Sequence, residues 1–258
     1  MSLLLRTTAL MLLVLSRAPA FAATLPYDVS AEETREESRD QVSARFFKHS
    51  LSGLYAIHTS ERNVLQPYQD LDTLYSHAAQ AQTELETLCQ STAMLTSTQA
   101  YFAGVKSYPR AAKKVELEFD GNAQRITDLA RATLIADDVP SLVEAYEILS
   151  REATIVKVKN RFKNPAPSGY RDLMVLIQLP GSKLIAEVQL HLKAIADVKS
   201  GPEHQLYEEI QAIERRAGQE KRGLNDWEQA KIHHIRQHSR DLYQNAWQPY
   251  ITTRIQAA

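Results

Sequence analysis

The chain has 258 residues, of which 44% are hydrophobic and 24% are charged. This length and composition are typical of a globular protein with a sizeable core and at most two domains, and they exclude a largely disordered chain. The 30 basic and 31 acidic residues give a formal net charge of -1. The overall charge therefore gives no case for a polyanion partner, and any basic binding site must be local.

Residues 1–23, "MSLLLRTTALMLLVLSRAPAFAA", have the pattern of a secretory signal peptide. A short start carries Arg6, an apolar run extends over 8–15, and Ala20-Phe21-Ala22 fits an A-x-A cleavage site. The apolar run is shorter than the roughly 20 residues that a membrane-spanning helix needs. The sequence thus predicts a secreted or periplasmic protein that is soluble and has no membrane partner. The alternative is an unusually apolar first helix or a wrongly assigned start codon.

Cys89 is the only cysteine, so the chain cannot form an internal disulfide. A single thiol between apolar residues at helical spacing is typical of a small buried side chain rather than of a nucleophile.

Residues 24–103 are predicted to form a helical N-terminal region. Apolar residues recur at spacings of three and four, as in "LDTLYSHAAQAQTELETLCQSTAMLTS". We expect at least two helices, separated near Pro67. The charged run 32–40 is interpreted as a solvated helix start, because mixed signs at this spacing favour pairs within a helix.

From residue 104 the pattern changes to alternating strands and helices. The predicted strands are "ARATLIAD", "TIVKVKNRF", "LMVLIQL" and "LIAEVQLHL", the last two joined by a hairpin-like "PGSK". Ser141 and Glu144 form a capping-box pattern that predicts the start of a helix. The last third is helical again. The fold class is therefore α/β (α+β), a small mixed sheet flanked by helices, with helical extensions at both ends.

In "LIAEVQLHL" apolar and polar residues alternate. The period of a strand places Glu187, Gln189 and His191 on one face of the sheet. Because such a column is costly to bury without partners, it should line a cleft or contact solvent. An edge strand with one wet face would give the same pattern.

A basic ladder runs along "TIVKVKNRFK" at a spacing of two: Lys157, Lys159, Arg161 and Lys163. Like charges along one strand repel, whereas a phosphate-rich ligand would neutralise them. A solvated face explains the ladder equally well when it is considered alone.

The stretch "NPAPSGYRDLMVLIQL", residues 164–179, brings Tyr170 and Arg171 to the start of an apolar strand. Packing alone does not require this pair, because a buried strand tolerates Arg poorly without a partner.

Asp128 lies just before another predicted strand, where an α/β protein often exposes a site carboxylate, although a cap or turn residue would also fit there. Together with Glu187 it could hold one Mg²⁺ while substrate phosphates supply further ligands.

Four motifs occur in an order that resembles the synthetase domain of RelA/SpoT proteins: "ITDLARATL", "GYRDLMVLIQL", "AEVQLHL" and the His204 to Tyr207 segment. The resemblance covers about residues 100–215, and we place the domain at 104–215, followed by a C-terminal helix over 216–258. It implies a nucleotidyltransferase-like fold and an alarmone synthetase activity. Such an enzyme moves the β,γ-pyrophosphate of ATP to the ribose 3′-hydroxyl of an acceptor such as a guanosine nucleotide, and releases AMP.

The resemblance also implies roles for individual residues. Asp128 and Glu187 correspond to the catalytic carboxylates that hold Mg²⁺, and Glu187 would also help to deprotonate the acceptor hydroxyl. Tyr170 resembles the aromatic residue that stacks on the acceptor base. The other implied acceptor-binding residues are Arg171, Gln189, His204 and Tyr207. The implied ATP- and phosphate-binding residues are Lys106, Arg110, Lys113, Arg131, Lys159 and Arg161.

The chain departs from the family pattern at several positions. Arg131 and Thr133 stand where the family has Gly and Arg, Asp172 and Met174 replace the Ser and His of the turn, and His191-Leu192 replace an Arg-Thr pair. These changes bear on guanine specificity more than on catalysis. A hydrolase region is not recognisable before residue 100, which predicts a synthetase-type domain on its own.

The resemblance and the leader together predict a secreted, toxin- or effector-like pyrophosphokinase. Its acceptor would be a guanosine or adenosine nucleotide, or alternatively the 3′ end of an RNA such as tRNA. An exported nucleotide-binding or interaction module without turnover is the alternative from a different functional class.

Overall fold

The computed structural model describes residues 42–60 and 62–252. The predicted signal peptide and the charged run 32–40 lie outside the described residues. Within the described part of the chain, none of the helices combines the length and the apolar character that a membrane span needs.

A mixed five-stranded sheet forms the centre of the fold, with strand order β1-β2-β5-β4-β3. Only β2 and β5 are parallel to one another, and the other neighbouring strands are antiparallel. The four strands predicted from the sequence are all present. The strands are β1 (Thr98–Phe102), β2 (Arg131–Ala136), β3 (Thr154–Asn160), β4 (Leu173–Gln178) and β5 (Ile185–Leu192).

Helices flank the sheet, as the sequence predicts. Residues 42–48 are helical, and a short 3-10 helix spans Ala123–Arg125. The α-helices are α1 (Leu51–Ala56), α2 (Leu71–Leu95), α3 (Tyr108–Phe119), α4 (Val139–Glu152), α5 (Lys193–Ser200), α6 (Pro202–Gln219) and α7 (Asp226–Ile251).

Two details of the predicted secondary structure are wrong. Residues 98–102 form the edge strand β1, not a helix, because they pair antiparallel with β2 and so gain backbone hydrogen bonds that the local pattern does not reveal. The helix α4 begins at Val139, since the Asp138 side chain accepts a hydrogen bond from the backbone N–H of Ser141 at 2.8 Å. Asp138, rather than Ser141, is therefore the N-cap.

The hydrophobic core lies between one face of the sheet and the helices α2 and α4. Val188 pairs with Ala132 and Val175, and all three side chains are buried on this core face. Cys89 of α2 is fully buried in the same core, and burial raises the pKa of its thiol to about 12. The prediction of a small buried side chain is confirmed. Because α2 shares this core, residues 71–95 and the sheet belong to one compact unit.

The opposite face of the sheet carries the polar side chains and is only partly covered, by α5 at β2 and β5. We call it the open face. It contains Glu187, with its direct partners Arg131 and Leu176, and Gln189, with its partners Thr133 and Met174. Directly paired residues share a face of a sheet, so the alternation predicted for β5 is confirmed.

Candidate functional site

A cleft of about 410 Å³ opens over the face that carries Glu187, and we call it the sheet cleft. Asp128 reaches the same cleft from the loop just before β2. The two carboxylates singled out in the sequence are therefore brought together. The lining residues are Tyr101, Phe102, Ala103, Asp128, Arg131, Ala132, Thr133, Glu187, Gln189 and Lys199.

Two lysines fix Asp128 in place. The ammonium groups of Lys106 and Lys114 donate to the same oxygen, Asp128 Oδ2, at 2.6 and 2.9 Å. Burial by itself would raise the pKa of Asp128, but the hydrogen bonds and charges of the two lysines outweigh it, and the pKa is lowered. Asp128 is therefore ionised at neutral pH.

Glu187 lies at the end of a chain of hydrogen bonds on the open face. Its Oε1 accepts from the side-chain amide of Gln189 at 2.7 Å, and the Oε1 of Gln189 accepts from Lys199 at 2.7 Å. Burial, and secondly the negative charge of Asp128, raise the pKa of Glu187. A carboxylate with a raised pKa is a better proton acceptor than an ordinary glutamate.

The donor atoms at the two carboxylates fit one divalent cation. Asp128 Oδ1 is buried and has no hydrogen-bond partner in the described part of the chain, and Glu187 offers a second carboxylate in the same cleft. No group of three or more His, Cys, Asp or Glu side chains that could hold a metal occurs within residues 42–60 and 62–252. Mg²⁺ would thus depend on substrate oxygens for further ligands, as it commonly does at phosphate-transfer sites.

A second and larger cleft, of about 1040 Å³, lies between α3 and α6, and we call it the basic groove. Asp128 lines it as well as the sheet cleft, so the two clefts meet at this carboxylate. Three of the six residues expected to bind the phosphates of ATP, Lys106, Arg110 and Lys113, lie here with Tyr207, whereas Arg131 lines the sheet cleft and Lys159 and Arg161 line neither cleft. The lining consists of Lys106, Arg110, Lys113, Lys114, Leu117, Glu118, Asp128, Tyr207, Gln211, Glu214, Arg215, Gly218 and Gln219.

Tyr170 is held in a polar network instead of presenting a free ring. Its hydroxyl donates to Asp172 Oδ2 at 2.8 Å and lies 2.6 Å from His191 Nε2. Since the single hydroxyl proton goes to the carboxylate, we assign His191 Nε2 as the donor of the second bond. The ring also packs edge-on against Tyr243. Burial, followed by the charge of Asp172, raises the pKa of Tyr170 well above its usual range.

Two arginines lie elsewhere than the sequence predicts. Arg161 was expected to face phosphates, but its guanidinium pairs with the fully buried Asp172 at 2.6 Å. Arg171 lies just before β4, over the ring of Trp247, and donates to the carbonyl of Phe162 at 3.0 Å. The ring and the carbonyl oxygen give this cation partners away from both clefts, which is why it does not face them.

The predicted basic ladder is only partly formed. Lys159 is exposed on the open face, where it pairs with Met174, and the repulsion of Arg161 together with partial burial lowers its pKa. The strand β3 ends at Asn160, so Lys163 does not continue the ladder. His204 is exposed and forms an i, i+4 pair with Glu208 at 3.3 Å, and it lines neither cleft.

Some of the residues that depart from the family pattern lie in or near the sheet cleft, and others are buried. Arg131 and Thr133 line the sheet cleft on the open face, whereas Asp172 is buried beneath Tyr170. Met174 lies in the row between Lys159 and Gln189. The arginine that replaces the family glycine is therefore directed to the cleft.

Several lining residues were not among the sequence-based candidates, and three of them carry groups that bear on the site: Lys199, Lys114 and Tyr101. Lys199 of α5 and Lys114 of α3 lie in helical stretches whose charges resemble a solvated face, and Tyr101 lies in a strand that the sequence pattern predicts as helix. For Lys114 a signal exists, because it lies four residues after Arg110 and so on the same face of α3. That Lys199 lines the cleft could be recognised only from the folded structure.

Solved structures with a similar fold include the Type VI effector Tas1, in a complex with its immunity protein. That chain is 21% identical with a TM-score of 0.52, and the match covers 69% of this chain and 96% of that one. The small alarmone synthetase 2 from Bacillus subtilis is 18% identical with a TM-score of 0.48, covering 68% and 97%. A GTP pyrophosphokinase family protein from Streptococcus pneumoniae is 15% identical with a TM-score of 0.44, covering 69% and 89%.

Comparison of the sequence with protein-family models and with curated proteins gives no match. The structural likeness is therefore a statement about the fold alone. This chain has the RelA/SpoT-like synthetase fold that its four sequence motifs predict.

Proposed function

We propose that this chain is an ATP-dependent pyrophosphokinase that transfers the β,γ-pyrophosphate of ATP to the ribose 3′-hydroxyl of a guanosine or adenosine nucleotide. The observation that carries the proposal is the position of Asp128. It lines both the sheet cleft, where Glu187 lies, and the basic groove, where Lys106, Arg110 and Lys113 lie. A polyphosphate in the groove would thus have its phosphates beside Asp128, at the point where the groove meets the cleft that contains Glu187.

The reaction needs little from the protein beyond positioning and positive charge. The acceptor 3′-oxygen forms a bond to the β-phosphorus of ATP, the bond from that phosphorus to the α,β-bridging oxygen breaks, and AMP leaves. The hydroxyl proton passes to a base, for which Glu187 has the raised pKa. Lys106 and Lys114 supply charge for the phosphates at Asp128.

Asp128 Oδ1 and Glu187 are the groups that would hold Mg²⁺. When bound, the ion neutralises phosphate charge and orients the pyrophosphoryl group. Gln189 orients the Glu187 carboxylate by its hydrogen bond, and Lys199 fixes Gln189 in turn. The chain's own residues therefore set the direction in which both carboxylates face the cleft.

The proposal includes export, as a toxin- or effector-like protein. It is supported by the A-x-A pattern at Ala20-Phe21-Ala22 and by the fold likeness to an effector. Mass spectrometry of the exported chain would test it, since cleavage at this site leaves a product that begins near residue 23 or 24.

A module that binds nucleotides without turnover is the second candidate, because Asp128 Oδ2 already accepts two lysine bonds and Thr133 replaces an arginine of the family pattern. The two candidates differ in what they require of Glu187. An enzyme loses turnover when Glu187 loses its charge, whereas a binding module keeps its function.

The test is incubation of the full chain with Mg²⁺, ATP labelled on the γ-phosphate and, separately, GDP, GTP, ADP and bulk tRNA. We expect a labelled nucleotide that decreases by about a hundredfold or more in Glu187→Gln and in Asp128→Asn, because removing a charge that stabilises the transition state typically has about that effect. Glu116→Gln, an exposed position on α3 that lines neither cleft, is the matched control and should keep full activity. Labelled tRNA would favour the RNA acceptor. The absence of label in every acceptor at high protein concentration would favour the binding module.

A further inference from the structure

An aromatic ring lies exposed at the mouth of the sheet cleft. Tyr101 is 51% exposed and belongs to the edge strand β1. It pairs directly with Thr133, which in turn pairs with Gln189, so its side chain lies on the open face. Large aromatic side chains usually bury their rings, and one left open beside a polar cleft is therefore available to a ligand.

The hydroxyl of Tyr101 has a partner on its own strand. It donates to the Oε1 of Gln99 at 2.7 Å, and the two residues are i and i+2 on the same face of β1. Both side chains are exposed, so this hydrogen bond leaves the ring itself available to a ligand.

Arg131 lies beside this ring on the neighbouring strand. It is two residues from Thr133, the direct partner of Tyr101, and such diagonal neighbours are about 7–8 Å apart in an antiparallel pair. Arg131 lines the same cleft, makes no ion pair within residues 42–60 and 62–252, and its buried Nε has no hydrogen-bond partner among those residues. A cation and a ring on one wall suit a flat aromatic ligand that carries phosphate.

The ring of Tyr170 is not open to a ligand in the way that the ring of Tyr101 is. Its hydroxyl is bonded to Asp172 and His191, and its ring is contacted by Tyr243 and by the cations of Arg161 and Lys199. The ring expected from the family resemblance to stack on a base is therefore already occupied by its neighbours.

We propose that Tyr101 is the base-stacking residue of the sheet cleft, that it takes the purine base of a nucleoside polyphosphate, and that Arg131 contacts the same ligand. This inference rests on the proposed function for the identity of the ligand class. The stacked purine can belong to the ATP donor or to the acceptor nucleotide, and the two sources are separated by measurement.

The test uses the full chain and two kinds of readout. Equilibrium binding of ATP, ADP and GDP is measured by calorimetry, and KM is measured for ATP and for the acceptor in the labelled-ATP assay. Tyr101→Ala removes the ring, Tyr101→Phe keeps it, and Trp227→Leu removes an exposed ring on α7 that lines neither cleft.

We expect Tyr101→Ala to weaken binding or raise KM by about tenfold or more for one nucleotide, which corresponds to the usual range for base stacking. Tyr101→Phe should remain within about twofold of the unchanged chain, and Trp227→Leu should have no effect. A change confined to ATP assigns the ring to the donor, and a change confined to GDP or ADP assigns it to the acceptor.

Equal values for Tyr101→Ala and Tyr101→Phe with every nucleotide would overturn the inference, even if the unchanged chain transfers pyrophosphate. Weaker binding in Tyr101→Ala by a chain that forms no labelled product would support the inference and contradict the proposed function. No binding of any of these nucleotides by the unchanged chain would overturn both.

Discussion

Lys106 donates to Oδ2 of Asp128 at 2.6 Å, and the side chains of both residues are almost completely buried. The lysine precedes α3 and the aspartate precedes β2, so this ion pair joins two loops where the sheet cleft and the basic groove meet. The backbone N–H of Lys106 also donates to the carbonyl of Leu129, at 2.9 Å. Lys106 thus fixes the proposed catalytic carboxylate of Asp128 and also lines the basic groove.

Replacing Lys106 by methionine should decrease the free energy of unfolding by about 2–3 kcal/mol. Removing one partner of a buried pair leaves the other charge poorly compensated, and here Lys114 compensates only part of it. Urea unfolding of Lys106→Met at pH 7 measures the loss.

Lys114→Met is the matched comparison, because Lys114 donates to the same oxygen but is more exposed. We expect it to cost less than about 1 kcal/mol of stability. If Lys114→Met destabilises the protein as much as Lys106→Met does, the buried pair is not what holds Asp128.

His191 should make stability depend on pH. Burial, and secondly the charges of Lys199 and Arg161, lower the pKa of His191 well below its ordinary value of 6.5. Below that value the unfolded chain binds a proton that the folded chain does not, so the free energy of unfolding falls as the pH falls from 6.5 toward the lowered pKa. For one histidine the loss is up to about 1.4 kcal/mol per pH unit.

His191→Gln can still donate to the Tyr170 hydroxyl but does not titrate. We expect its unfolding free energy to change less between pH 6.5 and 5.5 than that of the unchanged chain, as measured by urea unfolding at both values. Equal slopes in the unchanged chain and in His191→Gln would show that folding does not lower the pKa of His191.

Gly169 ends the proline-rich turn before Tyr170, and its φ is +84°. A Cβ at this position would lie 3.0 Å from the backbone Cα of Arg240 on α7 and 3.4 Å from Cβ of Tyr243. Gly169→Ala should therefore decrease the free energy of unfolding by about 2–4 kcal/mol, through both the left-handed backbone and the close contact.

Gly121 is the control for the backbone alone, because its φ is +80° and no atom lies within 4 Å of the added Cβ. Gly121→Ala should cost about 1 kcal/mol. Chemical denaturation of both variants measures the free energy of unfolding that each one loses. Similar losses would show that α7 moves away from the turn at little cost.

The sequence is most informative where the local period and the tertiary environment agree. The alternation of β5 predicts both its core face and its polar face, because every second residue packs against α2 and α4. Asp128 and Glu187 each have a structural explanation when considered alone, but they could be selected together because two carboxylates near neighbouring strands can share one Mg²⁺ and because both lie in the four motifs.

The sequence is less informative where long-range contacts decide. The strand β1 exists through its pairing with β2, and its residues carry no alternation that distinguishes them from a helix end. The place of Arg171 depends on its tertiary contacts with Trp247 and Phe162, while Arg161 pairs with the buried Asp172. Lys199 joins the cleft only because α5 turns back over β5.

Transfer of an intact pyrophosphate group is tested by comparing ATP labelled at the α-phosphate with ATP labelled at the γ-phosphate. The full chain is incubated with each, together with Mg²⁺ and the acceptor that gives the strongest signal. We expect the γ-label to move to the acceptor and the α-label to appear in free AMP, in equal amounts, and both signals to disappear in Glu187→Gln. Release of ADP or free orthophosphate, or transfer of the α-label to the acceptor, would contradict the proposed pyrophosphate transfer.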